Sequence, residues 1–394
     1  MKEPSLDETL QNLLGEEVAS ARLREHTMFD SLAGGSGERL VLFGAGNLGK
    51  RTLLGLRNLG IEPLAFTDNN AGLWGKEIFG LKVLPPEEAA KEYGENAVIL
   101  VTIWCGEGTD RMGTRIAQFR DLGCARVIPF GFLYWKHPEV FLPHYSLDLP
   151  HRVLESSEVI RDVWPLWSDE YSKKEFLAQL RWRLFLDFEC LPPPVQQTIY
   201  FPEDLVNLTS EEVLVDCGAF DGDTIRSFME TTAGRFGRVV ALEPDPGNYR
   251  DLSAYRDTLT PEVAEKLDLI QTAAGLRREK VRFNATGTAA SALGSGELEV
   301  DCAPLDEIVK EVRPTFIKMD VEGAEPDVLG GARGLVGKHS PILAVCVYHR
   351  QAHLWEIPGL IRAMNSGYRF FLRPHLLETW DLVCYALPAA RTKN

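Results

Sequence analysis

The chain has 394 residues, with 42 lysines and arginines against 57 aspartates and glutamates, so its formal net charge is −15. This length favours two or three domains. The negative charge argues against binding along a nucleic-acid backbone or an anionic membrane surface, because both need clustered positive charge. The longest strongly apolar stretch, residues 97–105, is too short for a membrane-spanning helix, which needs ~20 apolar residues.

The cysteines and the N-terminus predict a cytoplasmic protein. The seven cysteines are odd in number, scattered and without CxxC or Cys/His spacing. This pattern is typical of reduced thiols and not of a disulfide framework or a zinc site. Residues 1–8 carry no apolar core of the kind that a signal peptide has.

The sequence divides into two α/β halves that are joined by helices. Leucines at helical spacing across residues 1–30 predict one helix within an N-terminal helical segment, residues 1–36. Residues 37–150 are predicted as a Rossmann-like nucleotide-binding domain, 151–205 as a helical connector and 206–394 as a second α/β domain. Strands that alternate with helices predict doubly wound, mostly parallel sheets in both halves.

A glycine-rich loop in the first half has the pattern of a dinucleotide site. Gly44, Gly46 and Gly49 fit G-x-G-x-x-G between an apolar strand and a helix, and Asp68 ends the next strand. Glycines let a pyrophosphate approach the backbone, and the acid can hold ribose hydroxyls. The loop therefore predicts a nucleotide or NAD site, although residues 100–150 supply no catalytic Tyr/Lys or His/acid set. A Rossmann-like unit without a ligand stays open as the alternative.

A second glycine loop, within residues 213–224, again follows a strand and opens a helix, but it carries acids. Asp216, Asp221 and Asp223 surround the turn, and Glu243 ends the following strand. Three carboxylates would repel a pyrophosphate at this helix N-terminus, but they would attract a cationic ligand without phosphates. S-adenosylmethionine, with its ammonium and sulfonium groups, is such a ligand. The predicted cofactor-binding residues are Asp216, Gly218, Ala219, Gly222, Asp223, Glu243 and Asp320.

Further acids and a histidine follow two later strands. Asp320 and Glu322 come directly after the strand at 314–319, and His349 follows the strand at 341–347. Carboxyl ends of parallel strands form the ligand-binding edge of such a sheet. His349 is therefore predicted as the general base, Asp320 as the second choice for that role, and Glu322 as a substrate contact. These three side chains could instead hold a divalent cation, although we expect the protein to need no metal.

The remaining polar candidates lie nearer the C-terminus. Glu325 is interpreted as an acid at the start of a helix over 326–331. Residues 369–387 are predicted as a final antiparallel hairpin. That hairpin could carry Arg373 and His375 towards the substrate, or it could leave them at solvent-facing tips.

Taken together, these motifs resemble the FkbM family of S-adenosylmethionine-dependent methyltransferases. The matching segments are Val215–Thr224, Ala241–Asp245, Thr272–Gly275, Ser291 and Phe316–Glu325. The resemblance covers residues 211–390, and the last segment is rather specific to the family. It implies that residues 206–394 form a class I methyltransferase domain with a mostly parallel seven-stranded sheet. It also implies O-methylation of a sugar or polyketide hydroxyl.

We therefore expect an S-adenosylmethionine-dependent methyltransferase that methylates a sugar or glycan-type hydroxyl by in-line transfer. Its partner would be a small-molecule or glycan acceptor, with no nucleic acid and no membrane span. A base must take the hydroxyl proton as the new bond forms, because hydroxyl pKa values are high. Two alternatives stay open: an NAD- or nucleotide-sugar-dependent enzyme that uses the first glycine loop, and a non-catalytic nucleotide-binding protein.

Overall fold

The computed structural model describes residues 4–106, 108–284, 292–293, 296 and 298–392. Ser291, which belongs to the motifs above, lies outside the described residues. The chain forms two compact units. The first comprises Met1–Glu158, Lys174–Pro193 and Leu376–Trp380, and the second comprises Val159–Lys173, Pro194–His375 and Asp381–Asn394.

The first unit is built on a mostly parallel sheet. Its strands are β1 (Leu40–Phe43), β2 (Ala65–Thr67), β3 (Glu77–Ile78), β4 (Leu81–Leu84), β5 (Val98–Val101) and β6 (Val127–Pro129). Its helices are α1 (Leu6–Leu13), α2 (Val18–Ala33), α3 (Asn47–Asn58), α4 (Pro86–Tyr93), α5 (Met112–Asp121), α6 (Phe130–Lys136), α7 (Pro138–Phe141) and α8 (Pro150–Glu155). The strand order is β3-β4-β2-β1-β5-β6, with β3 antiparallel to β4. The doubly wound fold predicted for this half is confirmed.

The N-terminal segment differs from the single helix predicted over residues 1–30. Helix α1 ends at Leu13 and α2 begins at Val18, so a turn at Gly15 separates them. Glycine costs a helix interior about 1 kcal/mol relative to alanine, because it loses more backbone freedom. Leu10 and Leu14 are nevertheless buried, so the apolar spacing correctly identified the inward face.

Two helices contribute residues to both units, and the remaining elements belong to the second. The two helices are α9 (Ser157–Val163) and α10 (Glu170–Phe185). The later helices are α11 (Asp223–Thr231), α12 (Pro246–Asp257), α13 (Pro261–Ala264), α14 (Leu305–Ile308), α15 (Glu325–Gly331), α16 (Arg333–His339) and α17 (His353–Met364). The later strands are β7 (Val213–Cys217), β8 (Arg238–Leu242), β9 (Leu267–Ile270), β10 (Ala273–Ala274), β11 (Glu279–Asn284), β12 (Ala292–Leu293), β13 (Leu298–Ala303), β14 (Phe316–Met319), β15 (Ile342–Cys346), β16 (Tyr368–Pro374) and β17 (Leu382–Pro388).

The main sheet of the second unit has the strand order β16-β17-β15-β14-β7-β8-β9 in the described part of the chain. Strands β15, β14, β7, β8 and β9 are parallel, and β17 runs antiparallel to both β15 and β16. The seven-stranded, mostly parallel sheet and the final antiparallel hairpin are therefore confirmed. A small sheet in the order β10-β13-β11-β12 was not predicted, because two-residue strands such as β10 carry no readable periodicity.

The strand order of each sheet reverses at one place, which creates a crevice at the carboxyl ends of the strands. In the first unit this place is beside β1, which pairs with β2 and β5. In the second unit it is beside β7, which pairs with β8 and β14. Both predicted glycine loops leave the sheet here. Among the described helices, none has both the length and the apolar character required to cross a membrane.

Candidate active site

The centre of the second unit holds a buried ion pair between neighbouring strands. Asp216 on β7 is directly opposite Lys318 on β14, and Lys318 Nζ lies 3.1 Å from Asp216 Oδ1. Lys318 Nζ also donates a hydrogen bond of 2.6 Å to the carbonyl oxygen of Gly218. Burial alone would lower the pKa of Lys318, but the carboxylates of Asp216 and Asp320 raise it above its usual value. Lys318 is therefore charged at neutral pH, and the carboxylate of Asp216 already balances its charge.

The loop after β7 approaches β14 closely, which requires glycine at position 218. Gly218 has φ = 81°, and a Cβ atom there would lie 2.0 Å from the carbonyl oxygen of Asp320. The N–H groups of Gly218 and Ala219 both donate to the carbonyl of Leu242, each at 3.0 Å. The loop is thus held between β14 and β8, and it brings the end of each of these strands next to Asp216.

Glu243, at the end of β8, has a buried carboxylate whose described partners are backbone groups. Its Oε2 accepts a hydrogen bond from the N–H of Phe220 at 2.8 Å, and its Oε1 accepts one from the N–H of Asp245 at 2.8 Å. Each oxygen retains a second lone pair. Burial raises the pKa of Glu243 to about 7, although the two N–H donors oppose this shift. The carboxylate can accept further hydrogen bonds from a ligand hydroxyl.

The start of α11 carries the other acids of the glycine loop. Gly222 precedes the helix with φ = 91°, and Asp223 is exposed at its first position. Asp221 Oδ1 accepts hydrogen bonds from the N–H of Asp223 at 3.1 Å and from Arg226 Nη2 at 2.7 Å. Asp221 therefore stabilises the turn, and the exposed Asp223 accepts a hydrogen bond of 2.7 Å from the N–H of Thr224 through its Oδ1.

Asp320, directly after β14, is surrounded by aromatic hydroxyl groups. Tyr200 donates a hydrogen bond of 2.8 Å to Asp320 Oδ2, and Tyr348 Oη lies 3.5 Å from Asp320 Oδ1. His349 Nε2 is 3.3 Å from the same Oδ1. The side chain of Asp320 keeps 24% of its surface exposed, so this carboxylate is held in place and still reachable.

His349 is a fully buried ring that lies among three carboxylates. Its Nδ1 is 2.8 Å from Glu325 Oε1, and its Nε2 lies near Asp320 Oδ1 and 3.5 Å from Glu322 Oε1. Burial would lower the pKa of His349, but Glu325 and Glu322 raise it well above its ordinary value. The ring is therefore expected to carry both protons at neutral pH, which would leave it no lone pair to accept another.

Glu325 is an acid at the start of a helix, as predicted, and it also contacts two histidines. It begins α15, but it is completely buried, and its Oε2 lies 3.2 Å from His353 Nδ1. Its Oε1 also accepts hydrogen bonds from the N–H groups of Val321 and Gly323, at 3.0 and 3.3 Å. Glu325 therefore anchors the turn that carries Glu322.

Asp320, Glu325 and His349 each offer a possible metal ligand atom, and these atoms lie within 4.8 Å of one another. However, Glu325 contacts Nδ1 of the ring, whereas Asp320 contacts Nε2. The arrangement fits an imidazolium held between acids better than a metal centre.

We accordingly expect dialysis against EDTA to leave ligand affinity and activity within about twofold of their starting values. Isothermal titration before and after dialysis, with Mg²⁺, Mn²⁺ and Zn²⁺ added back separately, checks this. A large loss that one of these ions restores would contradict the prediction and favour the cation alternative at Asp320.

The loops of this site contain several residues in a strained backbone conformation. Tyr200, Phe220, Glu322 and Asp381 have φ angles of 67°, 47°, 52° and 46°. None is glycine, and such a conformation costs about 1–3 kcal/mol per residue. Burial raises the pKa of Asp381 to about 7, with a further contribution from Asp320. Strained residues that cluster around a partly exposed carboxylate, here that of Asp320, are typical of functional sites.

The predicted substrate contacts on the final hairpin have protein partners. Arg373 Nη2 lies 2.6 Å from Asp169 Oδ2 and 3.2 Å from Asp204 Oδ2, and the side chain is buried. His375 Nε2 is 2.8 Å from the hydroxyl of Tyr385, and burial lowers the pKa of His375 to about 4. Neither side chain is at a solvent-facing tip, and neither belongs to the group around Asp320 described above.

In the first unit, Asp68, the acid of the predicted nucleotide motif, forms a hydrogen bond with the glycine loop itself. Asp68 Oδ2 accepts a hydrogen bond from the N–H of Ala45, and its Oδ1 accepts one from Asn70, both at 2.8 Å. Gly49 packs so closely that a Cβ atom would lie 1.9 Å from the carbonyl oxygen of Gly44. At Gly46, in contrast, a Cβ atom would meet nothing within 4 Å. The loop has the fold of a nucleotide site, with Asp68 stabilising the loop itself.

The sequence analysis did not identify three residues of the second site: Lys318, Tyr200 and Asp381. Lys318 carried a signal, because a lysine within the otherwise apolar strand Phe316–Met319 must find a buried counter-charge. Tyr200 and Asp381 carried none, since they lie far along the chain from Asp320 and outside any recognisable pattern.

The chain is similar to known methyltransferases in sequence and structure. Residues 216–370 match the family model of the methyltransferase FkbM domain. No curated protein matches the chain.

Solved structures extend this similarity to the fold. The crystal structure of a methyltransferase FkbM from Methylobacillus flagellatus KT has a TM-score of 0.79 and 23% identity, and the match covers 97% of this chain and 99% of that one. A precorrin-6y C5,15-methyltransferase from Geobacter metallireducens GS-15 has a TM-score of 0.30 and 12% identity, covering 45% and 80%. Fibrillarin from Aeropyrum pernix, with natively bound S-adenosyl-L-methionine, has a TM-score of 0.29 and 15% identity, covering 47% and 71%.

Proposed function

Since residues 216–370 of this chain are an FkbM methyltransferase domain, we propose that the protein transfers a methyl group from S-adenosylmethionine to a hydroxyl of a sugar or glycan-type acceptor. One observation carries this proposal. The carboxylates of Asp216, near the end of β7, and of Glu243 and Asp320, directly after β8 and β14, lie at the carboxyl ends of three neighbouring strands, where the strand order reverses. This is the position at which doubly wound sheets bind their ligands.

The chemistry of these residues fits S-adenosylmethionine. Glu243 has free lone pairs for two ribose hydroxyls, and Asp223 presents a charge suited to an ammonium group. Gly218 and Gly222 have φ angles of 81° and 91°, a backbone conformation that glycine adopts readily and that shapes the loop after β7. We propose that the cofactor is held by Asp216, Gly218, Ala219, Gly222, Asp223, Glu243 and Asp320. When bound, it supplies an electrophilic methyl group on a cationic sulfur.

Calorimetric titration with S-adenosylhomocysteine tests the proposal most directly. We expect binding in the micromolar range, unchanged in Asp68→Asn, which alters only the first glycine loop. Binding of NAD(H) or a sugar nucleotide, without S-adenosylhomocysteine, would contradict the proposal and favour an enzyme that uses Gly44, Gly46 and Gly49.

Affinity for S-adenosylhomocysteine should weaken as the pH falls below 7. Burial holds the pKa of Glu243 at about 7 in the free protein, so below this pH the carboxyl is increasingly protonated and ribose hydroxyls lose their acceptor. The dissociation constant should rise by up to tenfold per pH unit between pH 7 and 6. Titrations at pH 8, 7 and 6 check this, with Glu243→Gln expected to bind at least tenfold more weakly and with little pH dependence. An equally steep response in that variant would rule out Glu243 as the cause.

Asp320 is the better candidate for the general base. His349, the first choice from the sequence, is buried and held in its charged form by Glu325 and Glu322. Asp320 remains partly exposed, and the described contacts of its Oδ1, to Tyr348 at 3.5 Å and His349 at 3.3 Å, are long. We propose that Asp320 accepts the hydroxyl proton, and that His349 keeps this carboxylate in position. Glu322, on the same turn, is proposed to contact the acceptor.

The charges around Asp320 support a neutral acceptor. Apart from the exposed Arg350 beside Gly323, the nearby cations that the structure describes are already matched: Lys318 by Asp216 and His349 by Glu325. A phosphorylated or carboxylated acceptor would therefore meet unmatched carboxylates. A neutral sugar hydroxyl avoids that repulsion. The buried partners of Arg373 and His375 make these two weaker candidates for substrate contact than Glu322.

The first unit stays a candidate nucleotide site. Its loop leaves room at Gly46, and NAD(H) and sugar nucleotides in the titration above test whether this loop binds a nucleotide.

We also propose domain boundaries at residues 36, 150 and 205, and a cytoplasmic location. The latter is supported by the seven cysteines, all of which lie among the described residues and none of which forms a disulfide there.

A further inference from the structure

A tyrosine from outside the segment that matches the family model reaches the proposed base. Tyr200 precedes residues 216–370, and its hydroxyl donates a hydrogen bond of 2.8 Å to Asp320 Oδ2. The side chain is buried, and the ring lies under Lys318, whose Nζ is 5.3 Å from its centroid. Tyr200 therefore contacts both Asp320 and the lysine of the central ion pair.

The backbone of Tyr200 is held in a conformation that only surrounding contacts can maintain. Its φ angle is 67°, which is costly for a residue with a large side chain. The N–H of Tyr200 donates a hydrogen bond of 3.0 Å to the hydroxyl of Tyr385, a buried residue on β17. The strained backbone and this hydrogen bond together place the phenol hydroxyl next to Asp320.

The hydrogen bond leaves the two oxygens of Asp320 unequal. Oδ2 receives the short bond from Tyr200, whereas Oδ1 faces Tyr348 at 3.5 Å and His349 at 3.3 Å. Burial raises the pKa of Tyr200 well above its ordinary value, so the phenol keeps its proton and acts as a donor. A donor on Oδ2 stabilises the carboxylate form and fixes the rotation of its plane.

We propose that Tyr200 is a positioning residue for methyl transfer, which stabilises the charged carboxylate of Asp320 and turns Oδ1 towards the acceptor hydroxyl. The assignment of Oδ1 to the acceptor rests on the proposed function. The hydrogen bond and its effect on Asp320 do not, so they can be tested without any acceptor.

The test is NMR spectroscopy, at one fixed pH near neutrality, of protein labelled with ¹³C at the aspartate carboxyl carbon. The Asp320 resonance is assigned by its disappearance in Asp320→Asn. In Tyr200→Phe we expect this resonance to shift away from its wild-type position, because the carboxylate loses a charge-assisted hydrogen bond. Tyr368→Phe is the matched control: this buried tyrosine donates a 2.6 Å hydrogen bond to the carbonyl of Pro341, and its loss should not move the Asp320 resonance.

An Asp320 resonance at the same position in Tyr200→Phe and in the wild type would overturn the proposal. If Tyr200→Phe does not fold, labelling of the tyrosine Cζ carbons in the wild type gives the same answer. The Tyr200 resonance should then shift in Asp320→Asn, and an unchanged resonance would equally overturn the proposal. Failure of the methyltransferase assignment itself would appear separately, as absent binding of S-adenosylhomocysteine.

Discussion

Replacing Asp320 with asparagine should lower the rate of methyl transfer by about 10²–10⁴-fold, the usual contribution of a general base. Asparagine has the same shape and its side-chain oxygen can still accept the hydrogen bond from Tyr200. It cannot take a proton from an acceptor hydroxyl. The variant should therefore fold normally and bind S-adenosylhomocysteine with an affinity within about tenfold of the wild type, so that the loss falls on kcat.

The measurement is release of S-adenosylhomocysteine with a panel of neutral methyl glycosides as acceptors. Asp301→Asn provides a matched control, because Asp301 is an exposed aspartate on β13 whose nearest cation, Lys280, lies 3.5 Å away at the surface. Its activity should equal that of the wild type. If Asp320→Asn retains more than a tenth of the wild-type rate, the base must be another group, and Asp381 would be the next to test.

Replacing Lys318 with methionine should reduce the free energy of unfolding by about 3–5 kcal/mol. Lys318 and Asp216 have 3% and 0% of their side-chain surface exposed. Removal of the lysine leaves a buried carboxylate without its counter-charge, next to Asp320. A double variant, Asp216→Leu with Lys318→Met, should recover much of this loss, because a buried ion pair and an apolar pair of similar volume differ little in stability.

A surface ion pair in the same unit gives the comparison for Lys318. Arg238 on β8 pairs with Asp268 on β9, and these side chains are 51% and 36% exposed. Solvent screens this pair, so Arg238→Met should cost no more than about 1 kcal/mol. Urea unfolding of the three variants measures the differences. Equal losses for Lys318→Met and Arg238→Met would show that burial does not strengthen the central pair.

Much of the fold could be predicted because its signals are local. Apolar runs such as Leu40–Phe43 and Ile342–Cys346 form fully buried strands, as parallel sheets require. The glycine loops after β1 and β7 lie at the predicted ends of strands. The small sheet and the break near Gly15 were not predicted. Short strands have no period, and one glycine within a regular leucine pattern is a weak signal.

The residues of the candidate site likewise fall into those that the sequence could predict and those that it could not. Asp216, Glu243 and Asp320 could be predicted because each lies at the end of a recognisable strand, and topology brings such strand ends together. The part played by His349 could not be predicted. A histidine at a strand end is consistent with a base, and only the positions of Glu322 and Glu325 around the ring raise its pKa well above the ordinary value.

By itself, the sequence determined the two α/β halves, the glycine loops and the acids at the strand ends, since each depends on residues close together in the chain. Only the tertiary structure decided which of those acids is accessible and which charges are already matched. Tyr200, Asp320 and Tyr385 are separated by many residues in the sequence, yet hydrogen bonds of 2.8 and 3.0 Å connect them. Electrostatic and hydrogen-bonding effects depend on distance in space and on burial, and neither is encoded in the spacing of residues along a chain.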